Sequence, residues 1–439
     1  MKTSPILRLV VMGILLGALN VPLTMMCGVV GERAARRNEV AREVSGDWGG
    51  EQTISGPVLS IPFRHSWIDV NGRSQSSIES YYVLPESLEI DGSIEPGERR
   101  RTLFTVIVYT ARLKMRGRFA APRLTNVRPA PDLILWDQAK VSLGVGDPRG
   151  IARGITVTWN GQPQRFEPGS GRIGLFATGV QADAAGITAD RTDPLRFELD
   201  LEIKGTREFR VVPAGNETVV RLTSTWPHPS FVGTTPDPPR IDANGFAASW
   251  RVPYFGRGFP PEWKGGDTQM DENIARRAAA SAFGVALIQP VDIYVQTERA
   301  VKYAALFIVM TFVIAFLWEI TGGVLVHPIQ YLFIGFTMCV FYLLLLSIAE
   351  HRGFDVAYLV AASATILLLA WYWSWVLAGR KQGVVMGAAL TGLYGYLYLL
   401  LRLEDYALLA GSVGLFLMLA ALMFLTRRID WFDLKLGAK

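Results

Sequence analysis

The 22 residues Leu9–Val30 (LVVMGILLGALNVPLTMMCGVV) contain no charged side chain, and a denser block of apolar runs fills about 301 to 426. A helix needs roughly 20 apolar residues to cross a hydrocarbon core about 30 Å thick. Leu9–Val30 has that length, and so do Val301–Thr321, Ile329–Ala349, Phe354–Ala378, Gly383–Leu401 and Tyr406–Thr426. A bilayer leaves no water for backbone polar groups, so runs of this kind fold as helices that satisfy their own hydrogen bonds. About 270 residues of mixed polarity separate the lone run from the block. The expected fold class is mixed: an α-helical membrane bundle of one N-terminal and five C-terminal spans, with a large water-facing domain between. A mean hydropathy of +0.25 is the average that two such compartments produce.

Charge locates the chain ends rather than a ligand. The net charge is +5, yet 32–300 holds 33 basic and 32 acidic side chains, and 301–426 holds five of each. A near-neutral central domain lacks the basic footprint of a nucleic-acid binder. With both termini cytoplasmic, the cytoplasmic segments carry Lys2, Arg8, Arg380, Lys381, Arg427, Arg428, Lys435 and Lys439. The short outer turns then carry only Arg352 and Arg402, as the positive-inside rule asks. Arg33, Arg36, Arg37 and Arg42 run against it, but long translocated domains are largely exempt. The expected domains are an uncleaved anchor at 1–31, an outer domain at 32–300, a five-helix bundle at 301–426 and a cytoplasmic tail at 427–439. Cys27 and Cys339 both fall in expected spans, which leaves the outer domain without a disulfide.

The outer domain opens on a charged stretch with helical spacing, ERAARRNEVAREVS (32–45), so the anchor helix is expected to extend past the membrane. Short β-branched or aromatic runs follow, among them PVLSIPF, SYYVLP, LEIDG, TLFTVIVYTARLKMRGRF, GITVTWNGQ, RFELDLEIKG, FRVVPAGN, TVVRLTST and FAASWRVPYF. In RFELDLEIKG, Phe197, Leu199, Leu201 and Ile203 alternate with charged residues, a half-buried strand pattern. The DG, NG and EPG steps suit turns. The expected architecture is an antiparallel β-sandwich, with a division into two modules near 150–190. A helix is expected at about 270–282, followed by a last strand, GVALIQPVDIYVQT.

Catalytic chemistry finds little support. The four histidines, His65, His228, His327 and His351, are not at metal-ligand spacing from one another. No metal, cofactor or catalytic residue is therefore expected. VGDPRGI (145–151) lacks the glycine pattern and Lys-Ser/Thr ending of a phosphate loop and reads as a turn in which Asp147 pairs with Arg149 or Arg153. The most conspicuous motif is TSTWPHPSFVG. Its prolines stiffen a loop of Trp226, Pro227, His228, Pro229, Ser230 and Phe231. Two readings compete: a partner-binding surface, or a rigid β-edge turn whose aromatics complete the core. In the bundle, Glu319, Lys302 and Asp355 lie near span ends and read as snorkelling or interfacial. Gly383 with Gly387, and Gly411 with Gly414, read as close-approach helix-packing faces.

In order and spacing, several segments resemble the CreD family of cell-envelope integrity inner-membrane proteins. They are SGPVLSIP (55–62), YYVLPESLEIDG (81–92), VGDPRGI, FEPGSG (166–171) and TSTWPHPSF, followed by RAVKYA (299–304), HPIQYL (327–332), FYLLLLSIAEHRGF (341–354) and RRIDWF (427–432). The resemblance covers nearly the whole chain. It implies a multi-pass inner membrane protein of Gram-negative bacteria with a periplasmic domain, produced under a two-component system and linked to envelope integrity, colicin tolerance and β-lactam response. It supplies no catalytic residue. The resulting expectation is a non-enzymatic protein whose periplasmic domain binds a cell-wall or protein partner. Lipid contact and self-association are further expected partners. The alternative is a transporter or flippase-like bundle with a receptor domain, and an envelope hydrolase built from His228, Asp147 and Arg149 is the most remote reading.

Overall fold

The computed structural model describes residues 5–69, 71, 73–122, 133–169, 173–288, 293–322, 326–376, 379–403 and 406–427. The tail expected at 427–439 lies, from 428 on, outside the described residues. The chain divides into two compact units, one of residues 1–38 with 291–439 and one of residues 39–290.

The first unit is helical. Helix α1 (Pro5–Trp48) runs 44 residues through the expected anchor and the charged stretch after it. Its buried residues Met12, Leu19 and Met26 recur every seven positions, as do Leu23 and Val30. That spacing forms one seam along a helix. The C-terminal helices are α3 (Ile293–Gly322), α4 (Pro328–Arg352), α5 (Phe354–Val376), α6 (Arg380–Arg402) and α7 (Ala407–Thr426), and α2 (Thr268–Ser281) belongs to the second unit. Helices α1 and α3–α6 are long and apolar enough to cross a membrane, while Leu408–Phe424 of α7 is a shorter apolar helix. Among the described residues four C-terminal helices thus reach full spanning length, where five spans were expected. A boundary also moves: IYVQT, expected as strand, opens α3.

HPIQYL starts α4 with a capping box. The His327 ring accepts from the Ile329 N–H at 3.3 Å, and Gln330 Oε1 accepts from the His327 N–H at 2.8 Å. Pro328 occupies the first turn, where its missing N–H costs nothing. Helix α4 ends at Gly353, whose φ of +79° suits a residue without Cβ.

The second unit is a β-sandwich, with eighteen strands among the described residues. In chain order they are β1 (Gln52–Ile68), β2 (Ser74–Val83), β3 (Ser87–Arg101), β4 (Phe104–Phe119), β5 (Leu133–Ile134), β6 (Lys140–Val145), β7 (Thr156–Trp159), β8 (Gln162–Arg165) and β9 (Glu167–Pro168). Then come β10 (Gly179–Asp183), β11 (Leu195–Thr206), β12 (Glu208–Val212), β13 (Glu217–Ser224), β14 (Pro229–Val232), β15 (Arg240–Asp242), β16 (Gly245–Pro253), β17 (Glu262–Lys264) and β18 (Phe283–Leu287). One sheet has eight strands in the order β15-β16-β13-β3-β4-β11-β7-β8. The other has ten, with β14-β18-β12-β1-β6-β10-β9 as its path and β2, β5 and β17 attached alongside. A single apolar core joins them, with Ile90, Leu113, Met115 and Leu201 from the first and Ile54, Leu59, Val141 and Val285 from the second.

Both sheets are mixed rather than purely antiparallel, because β1 pairs with β12 and β3 with β13 in parallel. The 150–190 stretch supplies β7 and β8 to one sheet and β9 and β10 to the other. Asn160-Gly161 makes the β7–β8 turn with both φ positive, as a two-residue hairpin requires. Asp91-Gly92 and Glu95-Pro96-Gly97 do not turn: they lie inside β3. A Cβ on Gly92 would meet Leu222 and Leu113 at 2.7 and 2.8 Å, so glycine lets the flanking strands close over the core. Pro96 lies past the last β13 pairing at Ile94, where β3 has one neighbour and proline is tolerated.

VGDPRGI ties three segments together. The Asp147 carboxylate accepts from the Gly50 N–H at 2.9 Å, the Arg149 N–H at 3.1 Å and the Arg149 guanidinium at 2.8 and 2.9 Å. Gln52 donates to the Asp147 and Lys204 carbonyls and accepts from the Asp147 N–H. A Cβ on Gly150 would lie 2.2 Å from the Lys204 carbonyl oxygen, so the turn packs against β11 only with glycine there. Arg149, more than the backbone donors, pulls the Asp147 pKa down to about 2 from 3.8. A depressed carboxylate pKa stabilises the fold above the unfolded value and loses that contribution as pH falls through the folded one. Asp147→Asn is expected to cost about 2 kcal/mol at neutral pH and to flatten the loss of stability between about pH 4 and pH 2. Thermal unfolding of the purified full-length protein across that range checks it.

Candidate functional site

The Trp226–Phe231 loop is pinned to its own domain. Trp226 Nε1 donates to the His228 carbonyl at 3.1 Å and the Ile288 carbonyl at 3.0 Å. Pro229–Val232 is strand β14, paired with the edge of β18. Half-buried Phe231 packs edge-on against Phe246 and Trp250, at centroid distances of 5.9 and 5.7 Å. The geometry thus engages both aromatics in packing and leaves His228 exposed. Of the remote hydrolase trio, Asp147 and Arg149 are paired with each other. Among the described residues, no three His, Cys, Asp or Glu side chains gather into a metal-holding group.

The surface with the most organised chemistry is the face of the eight-stranded sheet turned away from the core. Strand β4 places Arg112, Lys114, Arg116 and Arg118 on it at every second position. On one side β3 presents Glu89, Asp91 and Glu95, and on the other β11 presents Glu198, Asp200 and Glu202. Register aligns them: Lys114 lies opposite Asp91 and Asp200, and Arg116 opposite Glu89 and Glu198. The contacts include Lys114 to Glu198 at 2.9 Å, Arg116 to Glu89 at 2.7 Å, Arg118 to Glu86 at 3.2 Å, Arg221 of β13 to Asp91 at 2.9 Å, and Arg112 to Glu95. These side chains are about half exposed, so solvent screens each pair and leaves it weak. Their main effect is on what the surface can bind. Within this ladder an open groove of about 790 Å³ is lined by Ser93, Arg112, Arg153, Asp200, Arg221 and Thr223, among others. Charges of both signs that are only weakly held to one another can exchange partners with a polar ligand.

In the helical unit, Glu319 is 1% exposed, which corrects its reading as a snorkelling residue. Its carboxylate meets Arg8 of α1 and accepts from the Tyr331 hydroxyl at 3.0 Å and the Val326 N–H at 3.3 Å. A second pair lies further along α1. Glu350 accepts from the Tyr294 hydroxyl at 3.1 Å, and Arg33 Nε lies 3.7 Å from the same oxygen. Arg8 and Arg33 are 25 residues apart, about 37 Å of helix. That exceeds the roughly 30 Å hydrocarbon core and falls short of the full bilayer of about 40–45 Å. Each pair therefore belongs at the rim of the hydrocarbon. Between them Leu19 sits on Gly335, where a Cβ would meet it at 2.2 Å. Lys302 pairs with Glu298 at 2.7 Å, and Asp355 with Arg402 at 2.7 Å.

Of the four glycines singled out for packing, Gly383 lies against Ala370 and Ser374, Gly387 against Ala370 and Gly414 against Tyr396, while Gly411 faces open space. The Arg8–Glu319 and Arg33–Glu350 pairs escape sequence reasoning because each joins residues more than 300 positions apart. A basic residue at either end of an apolar run is their only trace.

A family model described as inner membrane protein CreD matches residues 4–432. The chain belongs to the CreD family. Inner membrane protein CreD of Escherichia coli (strain K12) is 33% identical over 428 residues, covering 95% of this chain and 92% of that one. Among solved structures, an M1 zinc metallopeptidase from Deinococcus radiodurans aligns over 40% of this chain and 41% of its own, with 10% identity and a TM-score of 0.20. A likeness that slight carries no argument about fold or activity.

Removing one partner of a buried ion pair costs about 3–5 kcal/mol, because the other charge is left unpaired. Glu319→Gln and Arg8→Glu are each expected to lower the yield and thermal stability of detergent-extracted protein. The exchange Arg8→Glu with Glu319→Arg is expected to recover part of the loss, and a double-mutant cycle on melting temperature measures the coupling.

Proposed function

We propose that this member of the family supports envelope integrity and the response to envelope stress and β-lactams as a scaffold rather than an enzyme. In this reading it holds a cell-wall or protein partner on its β-rich unit, which faces the periplasm while both termini remain cytoplasmic. The observation that carries it is the groove in the charge ladder of the eight-stranded sheet. It is broad and open, and its polar groups are only weakly engaged with one another. Such a surface suits a polar, mixed-charge partner such as a peptide-bearing polymer or a protein face, for which complementary charge confers specificity more than raw affinity.

The alternative, a transporter or flippase-like bundle, needs polar groups strung along a path through the helices. Three of the ion pairs described above, Arg8–Glu319, Arg33–Glu350 and Asp355–Arg402, join different helices, an arrangement that holds a bundle together. This favours the scaffold.

The test is charge reversal in the groove. Arg112→Glu with Arg221→Glu is expected to lower survival of cells under β-lactam or detergent stress by about tenfold, with membrane levels and unfolding temperature near wild type. Full protection by the double variant would count against the groove. A photo-crosslinker at exposed Thr223 that captures only lipid and other copies of the chain would count against any partner there.

A further inference from the structure

Helices α5 and α6 enclose an apolar groove with a charged mouth. It measures about 520 Å³, and its walls include Leu359, Ala362 and Ile366 of α5 with Thr391, Tyr394 and Gly395 of α6. The floor is closed: Tyr358 and Tyr394 are buried, and the Tyr358 hydroxyl donates to the Tyr394 carbonyl at 2.6 Å. Gly395 keeps the channel clear, since a Cβ built there meets no heavy atom within 4 Å. At one end Arg402 lies 2.7 Å from Asp355. The Tyr398 hydroxyl joins both, donating to Asp355 at 3.1 Å and accepting from Arg402 at 2.9 Å. Arg402 and Asp355 are 53% and 58% exposed, so solvent screens their mutual attraction and leaves it weak. A ligand bearing both charges can replace it.

The dimensions identify the occupant. Asp355 to Ile366 on α5 measures about 16 Å along the helix, and Thr391 to Tyr398 on α6 about 10 Å, with Arg402 one turn beyond. Half a hydrocarbon core is about 15 Å. The groove thus reaches from the membrane surface to the midplane, the depth of one acyl chain in one leaflet. We propose that it binds a single phospholipid with a zwitterionic ammonium–phosphate headgroup. The chain lies over Gly395, the phosphate meets Arg402 and the ammonium meets Asp355. An anionic lipid without the ammonium would face the Asp355 carboxylate uncompensated. The proposal rests on α5 and α6 spanning the membrane and is independent of the β-sheet surface.

The test is native mass spectrometry of the full-length protein in mild detergent, offered equimolar dioleoyl phosphatidylethanolamine and dioleoyl phosphatidylglycerol. Wild type is expected to retain one ethanolamine lipid per chain, about fivefold over the glycerol lipid, a difference of about 1 kcal/mol. Gly395→Leu, which fills the channel, is expected to cut that retention by about fivefold. Asp355→Asn, an exposed change, is expected to abolish the preference and so tests the headgroup assignment even where Gly395→Leu fails to fold. Equal retention of both lipids by wild type would overturn the headgroup assignment. Undiminished retention by a folded Gly395→Leu would overturn the site.

Discussion

A carboxylate buried among membrane helices has to meet a cation, and the position of α1 follows from that requirement. Glu319 has no access to water and is expensive to ionise alone, so Arg8 must come to it. Glu350 imposes the same demand on Arg33 at the far end of the apolar seam. Lipid tails provide no hydrophobic drive for helices to associate. The seam of Met12, Leu19, Leu23, Met26 and Val30 supplies close packing, and the two ion pairs select its register. A slide of one turn would separate both charges from their partners. Helix α1 continues to Trp48. There the indole lies between the Arg99 guanidinium and the Lys204 ammonium, 4.2 and 4.5 Å from its ring centroid.

The β-rich unit solves a related problem with weaker forces. Four basic residues on one face of β4 would repel one another, and the two acidic neighbours β3 and β11 remove that cost. No single pair contributes much, but acidic strands on both sides of β4 keep like charges from lying directly opposite one another, which would destabilise a sheet. The near-zero net charge of the domain thus conceals a charge pattern segregated by strand. This pattern sets charges of both signs side by side along the groove.

Legibility varied with the range of the interaction that decided each feature. The apolar runs, the alternation in RFELDLEIKG and the Asn160-Gly161 turn depend on neighbours within a few residues and were readable. Asp91-Gly92 looked like a turn because local chemistry permits one, but Leu113 and Leu222 from adjacent strands claim the space above Gly92 and keep β3 extended. The loop at Trp226 was ambiguous for a similar reason. Its prolines announce stiffness, while the Ile288 carbonyl that takes the indole N–H lies 62 residues away. The capping box in HPIQYL was available locally and went unread, because histidine is an unusual N-cap.

The sequence alone determined the compartments: which stretches can live in lipid, which central runs carry strand patterning, and that the excess charge belongs to the ends. These follow from composition and short periodicities, since hydrophobic transfer and backbone hydrogen bonding act residue by residue. Only the tertiary structure decided which charges meet. Arg8 with Glu319, the alternation of acidic and basic strands, and the groove ending at Asp355 and Arg402 all join residues far apart in the chain. Coulombic and packing energies depend on distance in space, and only the folded chain sets those distances.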